Sequence, residues 1–291
     1  MIYTLKNQEL TVSLSDHGAE LVSVKCAGDC EYIWQGDAAY WTGHAPLLFP
    51  ICGRLFEGKY TYGGETYSMG NHGFARRSVF EAETVEADFV RFVLRDNDET
   101  RAMYPFAFAL AVEYRLTGNR LDSRITVVNR GETLLPAAIG LHPGFNLPLG
   151  GDGAFDDWYL EFAEPCSPDE IETTPTGFLT GRRKAYDLEK GRFLRLHHGL
   201  FDPDSIFMSN VCRDVTLRSD KSARFVRFLC PEMPYMGIWH TPKSDAPYLC
   251  IEPWCGLPAY DGIVDDFASK CDMFRLQPKS EKSVAYTLIF G

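Results

Sequence analysis

The sequence predicts an all-β chain folded as a large antiparallel sandwich. Several runs alternate apolar and polar residues with a period of two, turn signals recur at short spacing between them, and helical periodicity is scarce. No stretch reads as a helix long enough to cover a sheet.

Leu10, Val12 and Leu14 alternate with Thr11 and Ser13, and Asp16-His17-Gly18 reads as a turn. Residues 21–25 resume the extended pattern, so the chain is expected to open on a hairpin. Residues 40–59 lack a clean period and hold Pro46 and Pro50, which predicts a loop crossing the sheet with Arg54 at its far end. Residues 60–67 read as a hairpin around Gly63-Gly64.

Val90, Phe92 and Leu94 mark a further strand. The clearest signal follows, where Phe106, Phe108, Leu110, Val112, Tyr114 and Leu116 alternate with small and then charged residues. That pattern puts one face of a long strand in a core. Residues 121–129 should pair with it across Thr117-Gly118-Asn119. Later strands are expected at 215–217, 225–229, 236–239, 248–251 and 284–290.

Helix is expected only as a turn or two at 98–104 and two turns at 264–271. Residues 150–175 are acidic and rich in Gly and Pro, and read as a loop-rich insertion. No internal repeat or composition break appears, so residues 1–291 are expected to form one domain.

Apolar residues make up 45% of the chain and charged residues 24%, the balance of an ordinary globular protein. The net charge of −11 argues against a nucleic-acid partner, which calls for a basic face. The first seven residues lack the basic flank and apolar core of a secretory signal. No apolar run approaches the ~20 residues of a membrane span. A cytoplasmic protein with no membrane partner is expected. Nine cysteines without CxxC spacing read as reduced, mostly buried thiols.

The run Tyr248-Leu249-Cys250-Ile251-Glu252-Pro253-Trp254 is the centre of the functional reading. It begins as an apolar strand and ends with a carboxylate before proline and a large aromatic. Pro253 holds Glu252 extended. His142 stands in a matching context, before Pro143 and Gly144 within an apolar stretch. His72 lies between Asn71 and Gly73 in turn chemistry that displays a side chain.

Two histidines and a carboxylate can ligate zinc, but no close pair at metal-ligand spacing is present. There is no G-x-S-x-G stretch, dinucleotide fingerprint or phosphate loop. Nothing marks Cys255 as an activated nucleophile. Acid–base chemistry by His72, His142 and Glu252 remains, with Arg54 and Trp254 placing a polar substrate and with no metal or cofactor.

Four motifs in order resemble the aldose 1-epimerase, or galactose mutarotase-like, family. They are Gly53-Arg54-Leu55, Asn71-His72-Gly73-Phe74-Ala75-Arg76, Gly140-Leu141-His142-Pro143-Gly144-Phe145 and Cys250-Ile251-Glu252-Pro253-Trp254. The resemblance is to a divergent bacterial branch and covers nearly the whole chain. It implies a β-supersandwich with the site on a concave face, and interconversion of the α and β anomers of an aldose without a cofactor.

By that resemblance Glu252 is the base and His142 the acid, facing each other across a sugar-sized gap. His72 would hydrogen-bond near C1 or the ring oxygen. Arg54, Asp204, Trp254, Asn71 and Arg76 would bind substrate, with Asp202 a near competitor for the role of Asp204. Members of the family typically carry two glycines after the histidine of the second motif. Phe74 replaces the second here, and is expected to narrow the site or shift sugar preference.

Arg76 and Arg77 raise a hexose 6-phosphate as the alternative substrate. A non-catalytic carbohydrate-binding or sensing protein is the alternative of another class. A small-molecule sugar is the expected partner, and the chain is expected to be a monomer or homodimer.

Overall fold

The computed structural model describes residues 1–26 and 30–291. Two large antiparallel sheets dominate it. The first has nine strands, in the spatial order Phe193–Arg195, Trp158–Phe162, Asp214–Ser219, Phe225–Leu229, Glu281–Phe290, Arg120–Asn129, Phe108–Thr117, Phe89–Arg95 and Glu81–Val85. The second has eight. Seven run in the order Leu179–Ala185, Asp169–Thr173, Ile206–Ser209, Tyr235–Trp239, Tyr248–Trp254, Gly140–Leu141 and Leu47–Leu48. The eighth, Gly144–Asn146, also pairs with Tyr248–Trp254. The expected opening hairpin forms from Leu10–Ser15 and Glu20–Cys26, and Ile2–Lys6 adds a third strand.

One core lies between the two large sheets. Leu110, Val112, Ile125, Val127, Val226 and Phe228 enter it from the nine-stranded sheet, and Met208, Met236, Ile238, Leu249 and Ile251 from the other. Each such fully buried side chain contributes about 1.5–3 kcal/mol relative to exposure. Because side chains alternate along a strand, Leu249 and Ile251 turn to this core while Tyr248, Cys250, Glu252 and Trp254 turn the other way. All seven residues of Tyr248–Trp254 are buried, which is why the run reads as continuously apolar rather than alternating.

Two local expectations are corrected. Residues 264–271 form turns, not helix. Tertiary contacts override local preference there. Phe267 stacks on Tyr60 at 3.5 Å, and Lys270 is buried in an ion pair with Asp265 at 2.9 Å. Residues 150–175 are not only loop, since they carry the strands Trp158–Phe162 and Asp169–Thr173. Trp158, Leu160 and Phe162 are fully buried, a short alternation that the acidic flanks disguise.

The helix near residue 98 forms as Asp98–Met103, where the Asn97 side chain accepts the Thr100 N–H and the Thr100 hydroxyl accepts the Asn97 N–H. All nine cysteines are free, and only Cys271 is exposed. Among the described residues no helix is long and apolar enough to cross a membrane.

Candidate active site

The strand neighbouring Tyr248–Trp254 is broken. Gly140 pairs with Trp254 and Gly144 with Cys250, and residues 141–143 span the interval opposite Ile251–Pro253. His142 therefore projects beside Glu252. The two residues that precede prolines in sequence meet in space, with His142 Nε2 3.3 Å from a Glu252 carboxylate oxygen. The indole N–H of Trp254 donates to the Leu141 carbonyl at 3.1 Å and ties the break to the strand. On the other flank, a Cβ at Gly237 would meet the Phe207 ring at 2.8 Å, so glycine there lets Phe207 lie close to Glu252.

His72 reaches the same place from a turn. Its backbone is left-handed, at φ +63°, and its N–H donates to the Gly53 carbonyl at 2.8 Å. The Gly53 N–H donates to His72 Nδ1 at 3.1 Å, which leaves the ring proton on Nε2. Gly73 is required beside it, because a Cβ would lie 2.1 Å from the Phe49 carbonyl oxygen. The His72 ring meets those of His142 and Trp254 edge-on, at 5.7 and 5.6 Å.

Burial sets the protonation of all three groups. It pushes the Glu252 carboxyl well above the usual carboxylate range, and Asp204 adds to this. It holds His142 well below the usual imidazole range, with Arg76 adding to the effect. It also holds His72 down, joined by His142, Arg76 and Arg54. The environment therefore disfavours charge on both members of the His142–Glu252 pair.

All eight residues singled out from sequence, Glu252, His142, His72, Arg54, Asp204, Trp254, Asn71 and Arg76, line one cavity of ≈ 270 Å³. Asp204, not Asp202, faces it, and the Trp239 indole N–H donates to the Asp204 carboxylate at 3.1 Å. Neither Arg54 nor Arg76 has a carboxylate partner within ion-pair reach among the described residues.

The sugar-sized gap is corrected, since acid and base candidates touch. Phe74 is corrected too. It does not line the cavity but packs on Phe49, Tyr104 and Phe108 in the core. Arg77 also lies outside the lining.

Sequence reasoning missed Trp41, Trp239 and Phe207, which complete the wall. The available signal was aromatic residues at strand ends and in the aperiodic stretch around residue 41.

Sulfur, nitrogen and carboxylate atoms of Cys250, His142 and Glu252 lie within 4.8 Å of one another, the donor types that metal ions take. Burial raises the pKa of the Cys250 thiol and the Glu252 carboxyl and so disfavours the deprotonated forms that ligation needs. The arrangement fits proton exchange better than ligation.

Residues 1–260 match the family model for aldose 1-epimerase. The chain belongs to the aldose 1-epimerase family. Protein LacX of Lactococcus lactis subsp. lactis is 36% identical over 265 residues, 88% of each chain. A galactose mutarotase related enzyme from Lactobacillus acidophilus has 36% identity and a TM-score of 0.94, over 100% of this chain and 97% of its own. A galactose mutarotase-like protein from Lactobacillus casei has 32% identity and a TM-score of 0.93, over 100% of both. This family membership and the mutarotase-like neighbours support an isomerase built on the expected mutarotase-like all-β fold.

Proposed function

We propose that the chain is an aldose 1-epimerase that interconverts the α and β anomers of a free hexose by acid–base ring opening and closure. The 3.3 Å contact of His142 with Glu252 in a buried polar cavity carries the reading. The hemiacetal hydroxyl and the ring oxygen are both bonded to C1, so adjoining acid and base groups can address both.

At rest the pair is a carboxylic acid and a neutral imidazole, and a proton shift across their 3.3 Å contact gives the Glu252 carboxylate and His142 imidazolium from which opening starts. Glu252 takes the C1 hydroxyl proton, His142 gives a proton to the ring oxygen, and the C1–O bond to the ring breaks as the aldehyde forms. The pair is then a carboxylic acid and a neutral imidazole, the uncharged state that burial favours. Rotation about C1–C2 presents the other aldehyde face, and the reverse transfers close the ring. The His72 Nε2–H donates to the oxygen that gathers charge. Arg54, Asn71, Asp204, Arg76 and Trp254 hold the remainder of the sugar.

The test follows optical rotation of fresh α-glucose and α-galactose. Glu252→Gln keeps the shape and removes the base, and should lose roughly 10²–10⁴-fold in kcat, the usual scale of acid–base catalysis. Equal rates for variant and wild type would remove the assignment.

A second reading has a specific observation behind it. Arg54 and Arg76 line the cavity with no carboxylate partner among the described residues, in a chain whose net charge is −11. Guanidinium groups suit bidentate phosphate contacts, which favours a hexose 6-phosphate. Adding phosphorylated hexoses to the panel decides it. A preference for phosphate that disappears in Arg76→Ala supports this reading, and one that survives counts against it.

A further inference from the structure

An imidazole that moves protons is ordinarily aimed by a hydrogen bond on its far nitrogen. His142 has none. Its Nε2 faces Glu252, while Nδ1 is buried without a hydrogen-bond partner among the described residues. What surrounds the ring is aromatic. Trp41 lies over its face, with centroids 4.9 Å apart and planes at 29°, and Trp239 meets it edge-on at 5.6 Å.

The local chain is shaped so that Trp41 can lie there. The Trp41 carbonyl accepts the Trp34 indole N–H at 2.7 Å, and its own N–H donates to the Asp37 carbonyl at 3.0 Å. A Cβ at Gly144, two residues after His142, would come within 3.0 Å of the Trp41 indole, and one at Gly43 within 2.3 Å. Glycine at both positions leaves room for the indole.

We infer that Trp41 is the positioning residue for His142, holding the imidazole against Glu252 by stacking in place of the missing hydrogen bond. The indole π face also favours the imidazolium that donates to the ring oxygen. This inference rests on the epimerase reading for its consequence in turnover. The stack itself can be read without turnover.

Two measurements on wild type, Trp41→Leu, Trp41→Phe and Gly144→Ala test it. In anomer exchange, Trp41→Leu should lower kcat roughly ten- to a hundred-fold with little change in KM, since misplacing a reacting group costs that much. Trp41→Phe should retain most of the rate, and Gly144→Ala, which crowds the indole, should fall with Trp41→Leu. In nitrogen-15 spectra of the ligand-free protein at neutral pH, the His142 ring signals should move in Trp41→Leu and much less in Trp41→Phe.

Unmoved His142 signals would overturn the inference. So would a raised KM at unchanged kcat, which would make Trp41 a platform for the sugar instead. A wild type that accelerates no anomer exchange would defeat the epimerase reading, while the spectra would still report on the stack.

Discussion

Glu252 and His142 each contradict the ordinary preference of their side chain for water, and each does so in a way that pH can expose. Burial lifts the Glu252 carboxyl above its ordinary value of 4.5, so the unfolded chain gives up this proton at lower pH than the folded one. The folded state then loses stability relative to the unfolded as pH rises above that value. Glu252→Gln removes this loss. Its melting temperature should exceed that of wild type by a margin that grows between pH 4.5 and pH 8, as measured by calorimetry; a margin independent of pH would contradict the burial argument.

The two histidines act in the opposite range. Burial holds His72 and His142 below their ordinary 6.5, so the unfolded state takes up protons first as pH falls through that value. Stability contributed by their neutral forms is present above pH 6.5 and lost below it. The site is thus a region where function is held at a cost in stability.

At the scale of elements, the broken strand beside Tyr248–Trp254 does what an unbroken one cannot. Continuous pairing through residues 140–146 would give residue 142 an ordinary place in the sheet. The interruption lets His142 turn towards Glu252 while Gly140 and Gly144 keep both ends in register.

The turns at 264–271, read from sequence as helix, support the opposite wall. The Lys270 ammonium donates to the Pro258 carbonyl at 3.2 Å and pairs with Asp265. The Pro258 ring fills the space where a Cβ on Gly53 would sit, and Gly53 holds His72. Lys270→Met leaves the Asp265 carboxylate buried and unpaired, and should cost about 3–5 kcal/mol in denaturant unfolding. A loss below about 1 kcal/mol, the range of an exposed pair, would show that the site is wetter than its burial suggests.

At the scale of the molecule, the parts legible in the sequence were those where backbone chemistry leaves a mark. Glu252 and His142 precede prolines, His72 sits in an Asn-His-Gly turn, and strands such as Phe108–Thr117 alternate cleanly. What stayed hidden depends on partners distant in sequence. Trp41 and Trp239 are ordinary core aromatics until the fold brings them to His142. Phe74 looked like a cavity residue because it follows His72-Gly73, yet it turns into the aromatic core. The separation of His142 from Glu252 was also beyond the sequence, since it is set by the register of three strands.

The central claim is that His142 and Glu252 work as a unit, each meaningless to the reaction without the other. Residues that act as a unit are strongly non-additive. The direct measurement is two-dimensional exchange NMR of equilibrated hexose anomers with wild type, Glu252→Gln, His142→Asn and the double variant. The account predicts that each single variant loses nearly all of the enzyme-driven exchange and that the double variant falls no further. Independent losses that multiply, or exchange at the wild-type rate in either single variant, would contradict it.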